Sequence, residues 1–332
     1  MNKEIQLTEL QIDQIKEYAD KERKKFGVID VPIAGELVML LEQEGIAICQ
    51  YPFPTNKKSH TDANITRFES ESGQMIFIGL NTAIYYDEQL FALAHELYHY
   101  ITQTGKAYDT DADEEDKLTE KKADRFAAEI LLPSKVLNSR IIEQFETSQL
   151  DRVSNLRLLR FIARMQSEWW LPYRALVLRL YEEKHITHSQ VEELFAIDDR
   201  DENSIYSKIL CGISQDNCKK LNTITRRTDI STWVKEIIIQ NYEDGDMTDD
   251  EFVSILKLFG KEPDDFGFNL NVDAADIDEQ EEQREKAEKY DRMQAQLRLM
   301  CELAEGRRSG EEEGWISSED VRNHFRVRAN AK

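Results

Sequence analysis

The sequence predicts an α+β protein: a small mixed or antiparallel sheet near the N-terminus, then a mostly α-helical second half. Three observations carry this. Short runs rich in β-branched and aromatic residues fall before residue 81. From Pro133 almost to the end, apolar residues recur at helical spacing. Gly and Pro punctuate the chain where these patterns start and stop, at Gly27, Gly45, Pro52, Pro54, Gly105 and Pro133.

Leu10, Ile12, Ile15 and Tyr18 lie among Asp, Lys and Glu, which predicts an amphipathic helix from about Thr8 to Phe26, stopped by Gly27. Pro32 opens a second helix through Leu37, Leu40 and Leu41, ending near Gly45. Ile46 to Tyr51 reads as a strand, closed by Pro52 and Pro54. Asn64–Phe68 and Met75–Leu80 read as a hairpin around Ser72-Gly73. After a loop, a helix begins near Glu88 with a core stripe of Leu90, Leu93, Ala94, Leu97 and Ile101, and Gly105 ends it. The next helix runs from about Glu114 to Leu132, where Pro133 stops it. Helical spacing follows over 134–146, 148–167, 172–183, 188–195, 230–242 and 248–259, while 204–220 is ambiguous. Residues 264–286 are acidic and poor in apolar anchors, as in a linker. A helix near Tyr290–Glu305, a turn at Gly306–Gly310 and a capped helix after Ser317 make a last unit. The expected division is therefore 1–145, a helical domain at 146–262, an acidic linker at 263–286 and a C-terminal helical hairpin at 287–332.

A chain of 332 residues that is 40% hydrophobic can fill a core. Its formal net charge of -22 argues against a broad nucleic-acid face or an anionic membrane partner, although a local basic patch such as Arg157, Arg160 and Arg164 is compatible with it. Met1-Asn2-Lys3-Glu4 has no apolar signal core and no run approaches a membrane span, so a cytoplasmic protein is expected. Cys49, Cys211, Cys218 and Cys301 are scattered and are expected as reduced thiols. The Cys211/Cys218 spacing would also suit a disulfide or half a metal site. The acidic loops Asp109–Asp116 and Asp244–Glu251 suggest calcium. The first lacks the Gly and closing Glu of an EF-hand and the second has its Gly misplaced, so they read as a solvated loop and a capped turn.

The chemistry centres on Phe91-Ala92-Leu93-Ala94-His95-Glu96-Leu97-Tyr98-His99-Tyr100. His95 and His99, four apart, share a helix face and can point at one metal ion, and Glu96 beside them can serve as general base. The three fixed positions alone would arise by chance in roughly one chain per hundred of this length, so a third ligand must support them. Glu120 is the best candidate, with Asp124 one turn later to accept the outer N–H of a ligating histidine. Ala123, Ala127 and Ala128 would let that helix approach closely. Glu114, Glu115 and Asp116 compete for the ligand role. His60, His185, His188 and His324 are isolated or lie on later helices, and His185 and His188 are expected at the surface.

Residues 76–133 resemble the ImmA/IrrE metallopeptidases. The resemblance rests on Phe91-Ala92-Leu93-Ala94-His95-Glu96-Leu97-Tyr98-His99 followed by Glu120-Lys121-Lys122-Ala123-Asp124-Arg125-Phe126-Ala127-Ala128-Glu129-Ile130-Leu131-Leu132-Pro133. It implies one Zn2+ per chain held by His95, His99 and Glu120, with Glu96 as the catalytic base, in a zincin-like fold over about residues 30–140. It also implies a strand bordering the cleft, for which Met75, Ile76, Phe77, Ile78, Gly79 and Leu80 are the natural edge for a substrate peptide. Leu90 stands where the family commonly has Arg, and Tyr98 where it commonly has Gly. The family's usual substrates are helix-turn-helix repressors in stress, phage or mobile-element responses. The competing expectation is a non-catalytic protein-binding regulator or toxin–antitoxin partner acting through the helical C-terminal half.

Overall fold

The computed structural model describes residues 6–53, 62–70, 73–104 and 114–268. The Asp109–Asp113 part of the acidic loop, His60, His324, Cys301, the linker beyond Phe268 and the C-terminal hairpin lie outside these residues.

Three strands close in sequence and one distant strand make a mixed sheet in the order β2-β3-β1-β4. β1 (Ile46–Tyr51) matches its expected bounds. β2 (Ala63–Ser70) and β3 (Gly73–Asn81) pair antiparallel from Ala63↔Leu80 to Ser70↔Gly73, the hairpin the sequence implied. β3 also pairs parallel with β1, from Ile46↔Ile76 to Tyr51↔Asn81. The expectation that Met75–Leu80 forms an open edge is thereby corrected: β3 is an interior strand with both ladders taken. β1 claims the second ladder because its Ile46, Ala47 and Ile48 are buried and need cover, as in parallel strands generally.

Among the described residues, no strand pairs with the outer side of β2, which makes it the open edge. Asn81 donates its N–H to the Asp62 carbonyl at 2.9 Å, which sets the hydrogen-bonding phase of the hairpin. By that phase, Ala63, Ile65 and Arg67 turn their N–H and C=O groups away from β3. At the other side β4 (Asp229–Ile230) pairs with Gln50 and Cys49. Ser231 tightens this join, its hydroxyl accepting from the Ile48 N–H at 2.7 Å and its N–H donating to the Ile48 carbonyl at 3.0 Å.

Helix α1 (Glu9–Lys25) is capped by Thr8 with Gln11 and left through Gly27 at φ 71°. α2 (Leu37–Gln43) precedes the sheet. α3 (Tyr86–Thr102) starts two residues before the expected Glu88, because the Glu88 carboxylate accepts the Tyr85 N–H at 3.1 Å. It ends at Gln103, at φ 54°, before Gly105. Arg67 of β2 fixes that end by donating to the carbonyls of His99 at 2.6 Å and Thr104 at 3.0 Å. α4 (Glu114–Leu131) and α5 (Ser134–Phe145) follow as expected around Pro133. α6 (Asn155–Trp169) begins later than residue 148, since the Leu150 N–H is bonded to the His185 carbonyl and Leu150 itself is buried. α7 (Tyr173–Glu182) and α8 (His188–Phe195) fall where the periodicity put them. The ambiguous stretch resolves into α9 (Ile205–Ile213) and α10 (Gln215–Leu221), separated where the Ser214 side chain caps Asn217. Cys211 and Cys218 join these two helices as a disulfide, which corrects the expectation of reduced thiols there. α11 (Thr232–Glu243) and α12 (Asp249–Leu258) come last, with Thr248 and Glu251 forming the expected capped turn.

One hydrophobic core runs from Ile15 of α1 through Leu93 and Leu97 of α3, Phe126 of α4 and Phe161 of α6 to Cys218 of α10. It crosses the expected division at 145/146 without a break. Two buried charge networks cross it as well. Glu129 of α4 accepts from Arg179 of α7 at 2.7 Å, from Arg125 at 3.1 Å and from the Ser134 N–H at 2.6 Å. Glu183 joins the same cluster through Arg125 and Ser134. Asp87, fully buried at the start of α3, accepts from Arg200 at 2.9 and 3.1 Å and from Gln166 at 2.8 Å. Burial pushes the Asp87 carboxyl up to about 6 although Arg200 opposes it.

A buried charge that loses its partner is destabilising by about 3–5 kcal/mol. Arg179→Ala leaves Glu129 short of a cation and is expected to lower unfolding free energy by that order. Chemical denaturation measures it, and an unchanged midpoint would contradict the clamp.

Candidate metal centre

His95 and His99 sit one turn apart on α3, and α4 lays Glu120 against them. Small side chains make this approach possible: Ala94, Ala123 and Ala127 are buried to within a percent of fully. His95 Nε2 lies 3.1 Å from His99 Nε2 and 3.1 Å from Glu120 Oε2, and His99 Nε2 lies 3.4 Å from Glu120 Oε1. Ligands at about 2.0–2.1 Å in a tetrahedron stand roughly 3.3 Å from one another. The two imidazole nitrogens and the Glu120 carboxylate, which meets each nitrogen with a different oxygen, already have about the spacing of one face of such a tetrahedron.

The tautomers agree with that. His95 Nδ1 is 2.9 Å from Asp124 Oδ1, a carboxylate that can only accept, so Nδ1 carries the hydrogen. His99 Nδ1 is 3.1 Å from Thr104 Oγ1, which is 2.6 Å from Thr102 Oγ1. Thr102 donates to the Tyr98 carbonyl at 2.8 Å, so its hydrogen is committed. Thr104 must then donate to Thr102 and accept from His99 Nδ1–H. Both Nε2 atoms are left as lone pairs aimed at one point.

Charge points the same way. Burial disfavours the His95 cation, but the Asp124 and Glu120 carboxylates outweigh it and raise the imidazole to about 10. Burial alone would raise Glu120, yet hydrogen bonds with His95 and His99 bring it down to about 2. The cluster therefore favours a positive charge among its three groups, and a divalent cation meets that demand while leaving each Nε2 unprotonated. Glu96 is buried beside it. Its carboxyl is raised, burial outweighing the opposing influence of His95 and His99, and it accepts a hydrogen bond from the Ile65 N–H on the open edge of β2.

Among the described residues, His95, His99 and Glu120 are the group able to hold a metal. Glu115, Asp116, His185 and His188 are not in it. His185 differs from the surface expectation: it is buried, with Nδ1 2.7 Å from the Ser148 carbonyl. His188 is exposed beside Glu192. Tyr98 is buried and packs on Phe126 at 5.5 Å between ring centres, a core contact. Sequence reasoning missed Thr104 and Arg67. Thr104 follows the helix end, and only the Gln103 turn carries it back to His99.

A His-Glu-x-x-His helix joined by a carboxylate from a second helix defines a metallopeptidase-type domain. Residues 41–181 match the family model of the IrrE N-terminal-like domain, Peptidase_M78, as the ImmA/IrrE resemblance implied. The match takes in the sheet strands β1 to β3 and α3 to α6, and leaves α1 and everything beyond Tyr181 outside it. No curated protein matches the chain.

Losing an outer partner of a ligating histidine weakens metal binding about 10- to 100-fold. Asp124→Ala and Thr104→Val are each expected to do so in a chelator competition. Unchanged affinity in both would contradict the tautomer assignment.

Proposed function

We propose that this protein is a zinc endopeptidase with one Zn2+ per chain. The observation that carries the reading is Glu96, a buried carboxylate beside the ligand cluster and fixed by a backbone N–H of the sheet edge. Zinc would act there as a Lewis acid, polarising a peptide carbonyl and lowering the pKa of water from 15.7 to about 7. Glu96 takes a proton from the attacking water and delivers it to the leaving amide nitrogen as the C–N bond breaks. Its burial supports this role, since a carboxyl raised above its ordinary value is the stronger base. His95, His99 and Glu120 hold the metal, Asp124 and Thr104 orient the imidazoles, and Arg67 fixes the end of the helix that presents them.

The substrate strand belongs on β2, in place of the Met75–Leu80 edge. Ile65 C=O and the Arg67 backbone face outward there, next to Glu96, so an extended peptide can add to the sheet with its scissile bond at the ligand cluster. The substrate class we propose, a helix-turn-helix repressor in a stress, phage or mobile-element response, comes from the ImmA/IrrE resemblance. The regulator reading gives Glu96 no task, and Glu96 is the group whose burial needs one.

Glu96→Gln keeps shape and ligands. It is expected to retain about one zinc per chain and to lose at least about 100-fold in cleavage rate. The assay incubates zinc-loaded protein with a helix-turn-helix repressor, taken from beside its gene where one is encoded there, and follows fragments by mass spectrometry. Equal cutting by parent and variant would overturn the role of Glu96. Metal bound with no cutting of that repressor would overturn the substrate class.

A further inference from the structure

Among the described residues of the helical half, four cations without a carboxylate partner line one groove. Arg157, Arg160 and Arg164 stand on α6 at i, i+3 and i+7, one face of the helix, and with Lys208 of α9 they line a groove of about 510 Å³. Each is exposed, and none makes an ion pair among the described residues. Nearby Arg140, outside the groove, is paired with both Glu143 and Glu168. Like charges at these spacings repel, so the arrangement is unfavourable until something neutralises it.

The groove is also apolar between its charges. Ile209 and Ile213 form part of its wall, and Ile213 is 42% exposed. Arg157 is held over the Phe145 ring at 5.3 Å, and Arg164 donates to Gln144, so two of the guanidinium groups are already steadied. A partner for this surface needs carboxylates along one face with apolar side chains beside them.

We propose that this groove docks an acidic amphipathic helix of a protein partner. Its carboxylates, at i, i+3 or i+4 and i+7, face Arg157, Arg160 and Arg164 over the roughly 10 Å that seven helical residues span. Its apolar side chains lie on Ile209 and Ile213. Nucleic acid is the poorer fit: a net charge of -22 repels a polyanion at long range, and phosphates make no use of the isoleucines. The proposal does not depend on the reading of the metal centre.

The test uses the full chain and a fluorescent peptide of about 18 residues, five helical turns, with Glu at i, i+4 and i+7 and Leu between. Fluorescence anisotropy compares it with a scrambled peptide of the same composition and with single- and double-stranded DNA of similar length. Saturable binding of the helical peptide is expected, weakening severalfold between about 0.05 M and about 0.2 M salt. Arg157→Gln with Arg160→Gln should weaken it about tenfold, as two exposed charge pairs warrant. Lys208→Gln, on the opposite helix, should weaken it about threefold and serves if the double variant loses helix by circular dichroism. Equal binding of the scrambled peptide, unchanged affinity in the variants, no binding, or tighter binding of either DNA would overturn the proposal.

Discussion

Everything in the candidate centre depends on holding two imidazoles and a carboxylate from different helices about 3 Å apart. No local propensity does that. The two histidines come free with helical spacing, but Glu120 arrives on α4, and its distance to α3 is set by what packs between and behind the helices. Buried alanines permit the approach. The Glu129–Arg125–Arg179 cluster then ties α4 to α7, and Asp87 with Arg200 and Gln166 ties the start of α3 to the helical half. Arg67 ties the other end of α3 to β2. The site is thus pinned at both ends of one helix and along the other.

This explains why the helical half is continuous with the sheet-bearing part. The expected boundary at 145/146 followed from a change in periodicity, strands giving way to helices. Periodicity records which face of an element is buried, and not which element buries it. Here Gln166 of α6 bonds Asp87 of α3 and Arg179 of α7 bonds Glu129 of α4, partners 79 and 50 residues apart. Removing the later helices would leave Asp87 without its cation and Glu129 with Arg125 alone inside a low-dielectric core, where an unpaired charge is least tolerable.

The residues legible from sequence were those whose meaning is local. His95, Glu96 and His99 stand together by helical geometry, Glu120 and Asp124 are candidates by the same spacing one helix later with Glu114, Glu115 and Asp116 in competition, and the β2–β3 hairpin shows as two strand-like runs close together. What escaped needed the third dimension. The choice of β2 over β3 as the open edge turns on where β1 inserts, and alternation within a hairpin is silent on that. β4 is two residues long, too short for any period. Thr104 acts through a left-handed turn at Gln103, a residue type that does not advertise one. His185 looked exposed beside a turn, yet its neighbours fold over it. The Cys211–Cys218 pair depends on a helix break at Ser214 that brings their Cα atoms to 5.0 Å.

Two imidazole nitrogens and the Glu120 carboxylate converge where a metal ion could be held, and we propose that the metal is zinc. X-ray absorption at the zinc edge of the purified protein measures this most directly. Nitrogen and oxygen scatterers are expected at about 2.0–2.2 Å, two of them imidazole, and no sulfur. A shell containing sulfur at about 2.3 Å would contradict it, because none of the described cysteines, Cys49, Cys211 and Cys218, belongs to the cluster. So would a zinc signal that persists unchanged once His95 and His99 are replaced.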